Sequence, residues 1–129
     1  MSNQIDEEAL MLLNFLMDKR SVELNLPFLH SFPKNCCEVV SFLLKFILEE
    51  RCQGIDVHVF KGSNAEYTEH HFWCVVNGLI YDLTAQQFEN IPSAVIGKDK
   101  LPVFISQHFV NTEIVDDTDL ITTDILNYF

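Results

Sequence analysis

The stretch "HHFWCVVNGLIYDLT", residues 70 to 84, constrains this chain more than any other. An Asn-Gly pair between two apolar runs is the strongest short hairpin signal, because both residues accept the positive φ angles of a two-residue turn. If Asn77-Gly78 is that turn, the register follows. Val76 faces Leu79, Val75 faces Ile80, Cys74 faces Tyr81, Trp73 faces Asp82, Phe72 faces Leu83 and His71 faces Thr84. Side chains alternate along each strand, so one face carries His71, Trp73 and Val75 with Ile80, Asp82 and Thr84. His71 and Asp82 are then diagonal neighbours, roughly 7–8 Å apart at the backbone and within reach of a side-chain hydrogen bond. His70 falls on the opposite face, where it has no acidic partner.

A hairpin this apolar needs a partner to pack on, and the segment "CCEVVSFLLKFILEER", from about Cys36 to Arg51, supplies one. Its apolar residues occupy nearly every side of a helix, and a helix apolar all round is a buried helix. Asn35 stands where it can cap that helix. An earlier helix is predicted from about Ile5 to Lys19, with acids in its first turn and Lys19 and Arg20 at its end. Residues 21–35 contain Pro27 and Pro33 and show no helical period, which suits an extended segment or loop. After the buried helix, "IDVHVF" alternates like a strand and "KGSNAEYTE" reads as a polar loop. Beyond the hairpin, "TAQQFEN" suits a short helical turn, and "SAVIG" and "LPVFI" suit short strands around a "KDK" turn. A closing helix is expected near Thr118 to Tyr128. With no internal repeat, the pattern is one α+β domain over residues 1–129, helices first and a meandering antiparallel sheet after them.

Composition narrows the function. The 129 residues carry 19 acidic and 8 basic side chains, a net charge of −11, so no strong basic patch is available for phosphates or anionic lipid. Nucleic acid and membrane are therefore not expected partners; the acidity suits solubility first, and otherwise a surface that attracts a basic substrate or partner. Cys36, Cys37, Cys52 and Cys74 form neither a CxxC pair nor the Cys/His spacing of a structural zinc site. The N-terminus has acids where a secretory signal has a basic region. These features predict a cytosolic, reduced protein without a transmembrane span.

The chemistry converges on the hairpin and the helix start. A carboxylate bonded to one imidazole nitrogen fixes the tautomer and supports the cation, the part played by the third member of a nucleophilic triad. The best-placed nucleophile is the cysteine pair opening the buried helix, where the positive end of the helix dipole and a nearby imidazolium favour thiolate. Each feature also has a plain structural reading, a polar contact in a core or a small buried thiol, but their conjunction in one small domain favours the triad.

The segments "FPKNCCEVVSFLL" and "HFWCVVNGLIYDLTAQQF" resemble the transglutaminase-like branch of the papain-like cysteine enzymes. In that branch a Cys opens a helix, an H-x-W strand follows, and an Asp-x-Thr lies on the next strand. The similarity is greatest to a bacterial group with the patterns F-P-x-G-x-C-G-x-x-S and H-A-W-x-x-x-x-G-x-x-x-D-x-T-A-D-Q-F, and it covers about residues 32 to 88. The resemblance implies a papain-like core, with the nucleophile at Cys37, the base at His71 and the orienting acid at Asp82. It also implies that Trp73 packs beside the site and that Gln87 and Phe88 close the loop after the acid strand. Asn35 and Glu38 stand where the pattern has glycine, Cys36 adds a second thiol, and Gln86 replaces an acid.

The expected function is thus thiol-dependent acyl transfer at an amide bond, of peptidase, glutamine deamidase or transglutaminase type. It would act on a protein or peptide and would need no cofactor or metal. The oxyanion would be held by the Cys37 backbone N–H, with Asn35 as a candidate second donor. Two other readings compete: a catalytically silent binding or immunity-type module that keeps the fold, and a metal site formed by Cys37, His71 and Asp82.

Overall fold

One buried helix organises the molecule. In the computed structural model, which describes residues 2–18 and 31–117, it runs Cys37–Arg51 (α2) and follows α1, Ser2–Met17. Val39, Val40, Phe42, Leu43, Leu44, Ile47 and Leu48 of α2 are all buried, as a helix without a polar stripe requires. Each large apolar side chain removed from water in this way contributes about 1.5–3 kcal/mol before the entropy of ordering it is counted. Lys45 is buried in the same helix, and its Nζ donates to the Val57 carbonyl at 3.0 Å and to Glu49 at 3.1 Å. Those bonds offset its desolvation.

The sheet follows as β1 (Val57–Ser63), β2 (His70–Val76) and β3 (Leu79–Asp82). Then come a 3₁₀ turn (Ala85–Gln87), β4 (Val95–Lys98), helix α3 (Val103–His108) and β5 (Asn111–Ile114). The five strands are antiparallel in the order β4-β3-β2-β1-β5, an α+β arrangement. β2 lies at the centre. Helix α2 packs on β2 and β1, and α1 packs on α2 and β4.

The hairpin turn has the predicted form, with φ of 50° at Asn77 and 81° at Gly78. Its register is the expected one for Val76–Leu79, Val75–Ile80 and Cys74–Tyr81, but the ladder ends there. On the other edge of β3, Asp82 pairs with Val95 of β4. The alternation survives. Phe72, Cys74 and Val76 face the helices, while Trp73 packs on the other side with Ala85, Ile91, Val95, Ile105 and Phe109. β2 is thus covered on both faces, which explains its nearly continuous apolar run.

Several elements differ from expectation. Helix α1 begins at Ser2 rather than Ile5, so Asp6, Glu7 and Glu8 fall in its second turn. Strand β1 continues through Lys61, Gly62 and Ser63, read from sequence as loop, because all three pair with β2. "LPVFI" forms the start of α3 and not a strand. Pro102 precedes the first turn and Ile105 is the inward residue, whereas Val103 and Phe104 stay exposed. A short apolar run does not distinguish strand from helix by periodicity alone. Strand β5 has no sequence signature, being polar and mostly exposed, and it forms because β1 offers an unpaired edge. The predicted closing helix, Lys19 and Arg20 lie outside the described residues. Among the described residues no helix is long and apolar enough to cross a membrane.

Candidate active site

The chain enters α2 through a tight turn. The Ser31 hydroxyl donates to the Lys34 carbonyl at 2.6 Å, the Lys34 N–H returns to the Ser31 carbonyl at 2.8 Å, and Phe32-Pro33 is cis. Asn35 then adopts φ of 59°, a left-handed conformation that asparagine tolerates better than most residues. Asn35 does not cap the helix, contrary to the sequence expectation. Cys36 occupies the cap position, its carbonyl accepting the Val40 N–H at 2.9 Å, and its side chain makes no capping hydrogen bond. The first N–H groups of α2 have no intrahelical acceptor, as at every helix start.

On the sheet, His71 and Asp82 meet as the hairpin argument required. His71 Nε2 lies 2.6 Å from Asp82 Oδ2, and each side chain is 1% exposed. Asp82 Oδ1 accepts the Thr84 N–H at 3.2 Å and the Thr84 hydroxyl at 3.3 Å. Both carboxylate oxygens are thus satisfied in a buried site, as a buried charge requires. Trp73 sits at 5.8 Å from the imidazole, Phe109 at 5.6 Å and Phe88 edge-on at 5.0 Å, centroid to centroid. Burial alone would lower the basicity of His71. The charge and hydrogen bond of Asp82 outweigh it, the Cys37 thiol adds a smaller push as a hydrogen-bonding partner, and the imidazole rises to about 9. It is the protonated form that this setting favours.

With Nε2 committed to Asp82, the other ring nitrogen is the free one. Nδ1 lies 3.5 Å from the Gln87 side-chain nitrogen and within reach of Cys37. A cleft of about 480 Å³ opens here, lined by Asn35, Cys36, Cys37, Glu38, Val39, His70, Phe72 and Gln87. Of the expected site residues, Asn35 and Cys37 line the cleft, Cys37 contacts the His71 ring that bonds Asp82, and Trp73 lies beside that ring. His70 also borders the cleft, its Nδ1 2.8 Å from the Ser63 hydroxyl.

The four thiols are free, and they differ in setting. Cys37 is half-buried. Cys36 is 3% exposed, and burial, then the neighbouring Cys37, push its thiol up to about 12. Burial likewise raises Cys52 and Cys74, and Cys74 donates to the Ser41 carbonyl at 3.0 Å. Among the described residues no three His, Cys, Asp or Glu side chains are arranged to hold a metal ion, so the geometry lends no support to the metal reading.

Sequence reasoning did not find Phe109 or the contact of Phe88 with the imidazole. Phe109 reaches His71 from the far end of α3, and no local pattern marks it. Compared with protein-family models, with curated proteins and with solved structures, the chain matches none.

Proposed function

We propose that this protein is a thiol-dependent acyl-transfer enzyme acting on an amide bond of a protein or peptide, of the transglutaminase-like, papain-like kind. The observation that carries this reading is the buried His71–Asp82 pair, which leaves Nδ1 toward a half-buried cysteine at an uncapped helix start. Cys37 Sγ gives its proton to His71 Nδ1 and attacks the amide carbonyl carbon. The carbonyl oxygen becomes an oxyanion at the N–H groups opening α2. His71 then protonates the leaving amine as the carbonyl re-forms, giving a thioester at Cys37. Water or a second amine, deprotonated by His71, resolves it. Asp82 holds the imidazole orientation throughout, and Trp73, Phe88 and Phe109 keep water from the pair.

Alkylation by iodoacetamide at about pH 6 tests the first step. Cys37 is expected to react at least about tenfold faster than the other three cysteines, and His71→Ala to remove that selectivity. Slow labelling that is equal at all four thiols would refute the enzyme reading and leave the silent binding module. Peptide cleavage, ammonia release and amine incorporation then separate peptidase, deamidase and transamidase.

A further inference from the structure

Gln87 occupies a place in the cleft for which the triad has no use. It ends the 3₁₀ turn that follows the acid strand, its own N–H bonded to the Thr84 carbonyl at 3.0 Å and the next N–H to Ala85 at 3.2 Å. Phe88, one residue on, is pressed edge-on against the imidazole at 5.0 Å. The turn is thus pinned at both ends to the acid strand and the base. From it the Gln87 side chain reaches His71 Nδ1 and borders the same cleft as Cys37.

The donors of that side chain are in surplus. A primary amide carries two N–H donors, and neutral Nδ1 could accept at most one of them. At 3.5 Å even that contact is longer than the usual range of a nitrogen-donated bond. When the ring is protonated, Nδ1 is itself a donor and accepts none. The amide N–H groups then have the cleft to turn to, beside the sulfur. Nδ1 must come within hydrogen-bond reach of both Sγ and the leaving nitrogen, so a group next to Nδ1 stands next to the carbon that joins them.

We infer that the Gln87 side-chain amide is the second oxyanion donor, completing a hole whose first donor is a backbone N–H at the start of α2; this rests on the acyl-transfer reading above. When Sγ bonds the carbonyl carbon, the π electron pair of the carbonyl moves onto oxygen. Gln87 Nε2–H then bonds that oxygen. On collapse the pair returns, the carbon–nitrogen bond breaks, and the amine leaves with the proton from Nδ1. Gln87 would be a catalytic residue, in place of Asn35. Asn35 also lines the cleft, but nothing ties its amide to the imidazole.

Two reagents separate this role from the others on the full-length chain. N-acetylglycinal adds Cys37 across its carbonyl and so makes a tetrahedral oxygen in the hole, whereas iodoacetamide alkylates the sulfur without making one. The measurement is the aldehyde concentration that protects Cys37 from alkylation in the parent, Gln87→Ala, Gln87→Glu and Asn35→Gly, the last keeping the left-handed backbone free of strain. The Gln87 variants are expected to need at least about tenfold more aldehyde, with the alkylation rate in its absence within about twofold of the parent. Asn35→Gly is expected to match the parent in both. Protection unchanged by Gln87 substitution, a loss confined to Asn35→Gly, or no protection of the parent would overturn the assignment while leaving a fast Cys37 intact. Slower alkylation in Gln87→Ala would also overturn it, making Gln87 a positioning residue for His71. If Cys37 alkylates no faster than Cys36 in the parent, the acyl-transfer reading has failed and the oxyanion hole with it.

Discussion

Cys36 and Cys37 are neighbours in the chain and both border the cleft, yet Cys36 is buried and Cys37 only half-buried. Cys36 is almost wholly buried, where the charged form is desolvated, and its thiol is pushed up to about 12. Cys37 borders the cleft and interacts with His71. Cys37→Ser is therefore expected to abolish fast alkylation, and Cys36→Ser to preserve it at a cost of about 1 kcal/mol or more for placing a hydroxyl in an apolar site. Mass mapping of the alkylated peptide distinguishes the two. Residue types alone left this pair unresolved; only the resemblance of the surrounding motif singled out Cys37. The burial that separates them goes with Cys36 standing at the cap and Cys37 inside the helix, a boundary that no helical period reveals.

At the scale of elements, β1 carries two features that the sequence reading passed over. Gly62 pairs with His71, and a Cβ there would lie 2.7 Å from the Trp73 ring and 2.9 Å from Phe109. Gly62→Ala is accordingly expected to destabilise the fold by about 1–3 kcal/mol and to disturb the ring packed beside the imidazole. Urea unfolding measures the first effect and Trp73 fluorescence, from the chain's one tryptophan, the second. At the other end of β1, His58 stands between Asp116 (Nδ1, 2.8 Å) and Asp56 (Nε2, 3.0 Å). Asp116 also accepts the Val59 N–H at 2.9 Å, tying the chain after β5 back to β1. The hydrogen bond to Asp116 leads in raising His58 above the ordinary imidazole range. Burial works to raise Asp116, but its bonds to His58 and Val59 prevail and hold it below the usual carboxylate range. The clasp is thus expected to hold from below the carboxylate range to above the imidazole range, loosening as pH rises through the raised His58 value. Hydrogen exchange of the Val59 and Val115 amides should accelerate there, and His58→Ala should show the faster exchange at neutral pH. An alternating "IDVHVF" identifies the strand, but His58 and Asp116 are far apart in sequence, so their pairing could not be read from it.

For the whole molecule, the His71–Asp82 pair links protonation to folding. His71 is raised in the folded state, so its contribution is fully present below the unfolded imidazole range and is lost as pH rises through about 9. Between about pH 6.5 and 9.5 the protein should lose stability on the order of 1–3 kcal/mol. Urea titrations in a Cys37→Ala background, which removes the thiol's own titration, measure it. Asp82→Asn should flatten the dependence, because the group that raises His71 is gone.

The sequence by itself determined the α+β class, the buried helix and the hairpin register near its turn, because hydrophobic period and an Asn-Gly turn are local signals with few solutions. The same register put His71 and Asp82 on one face before any tertiary contact was known. Only the tertiary structure decided the rest. Which strand borders β3 on its far edge, whether "LPVFI" coils or extends, and which thiol and which amide meet Nδ1 depend on segments distant in sequence packing together. Burial and the pairing of buried polar groups settle such choices, and neither is a property of any short stretch of chain.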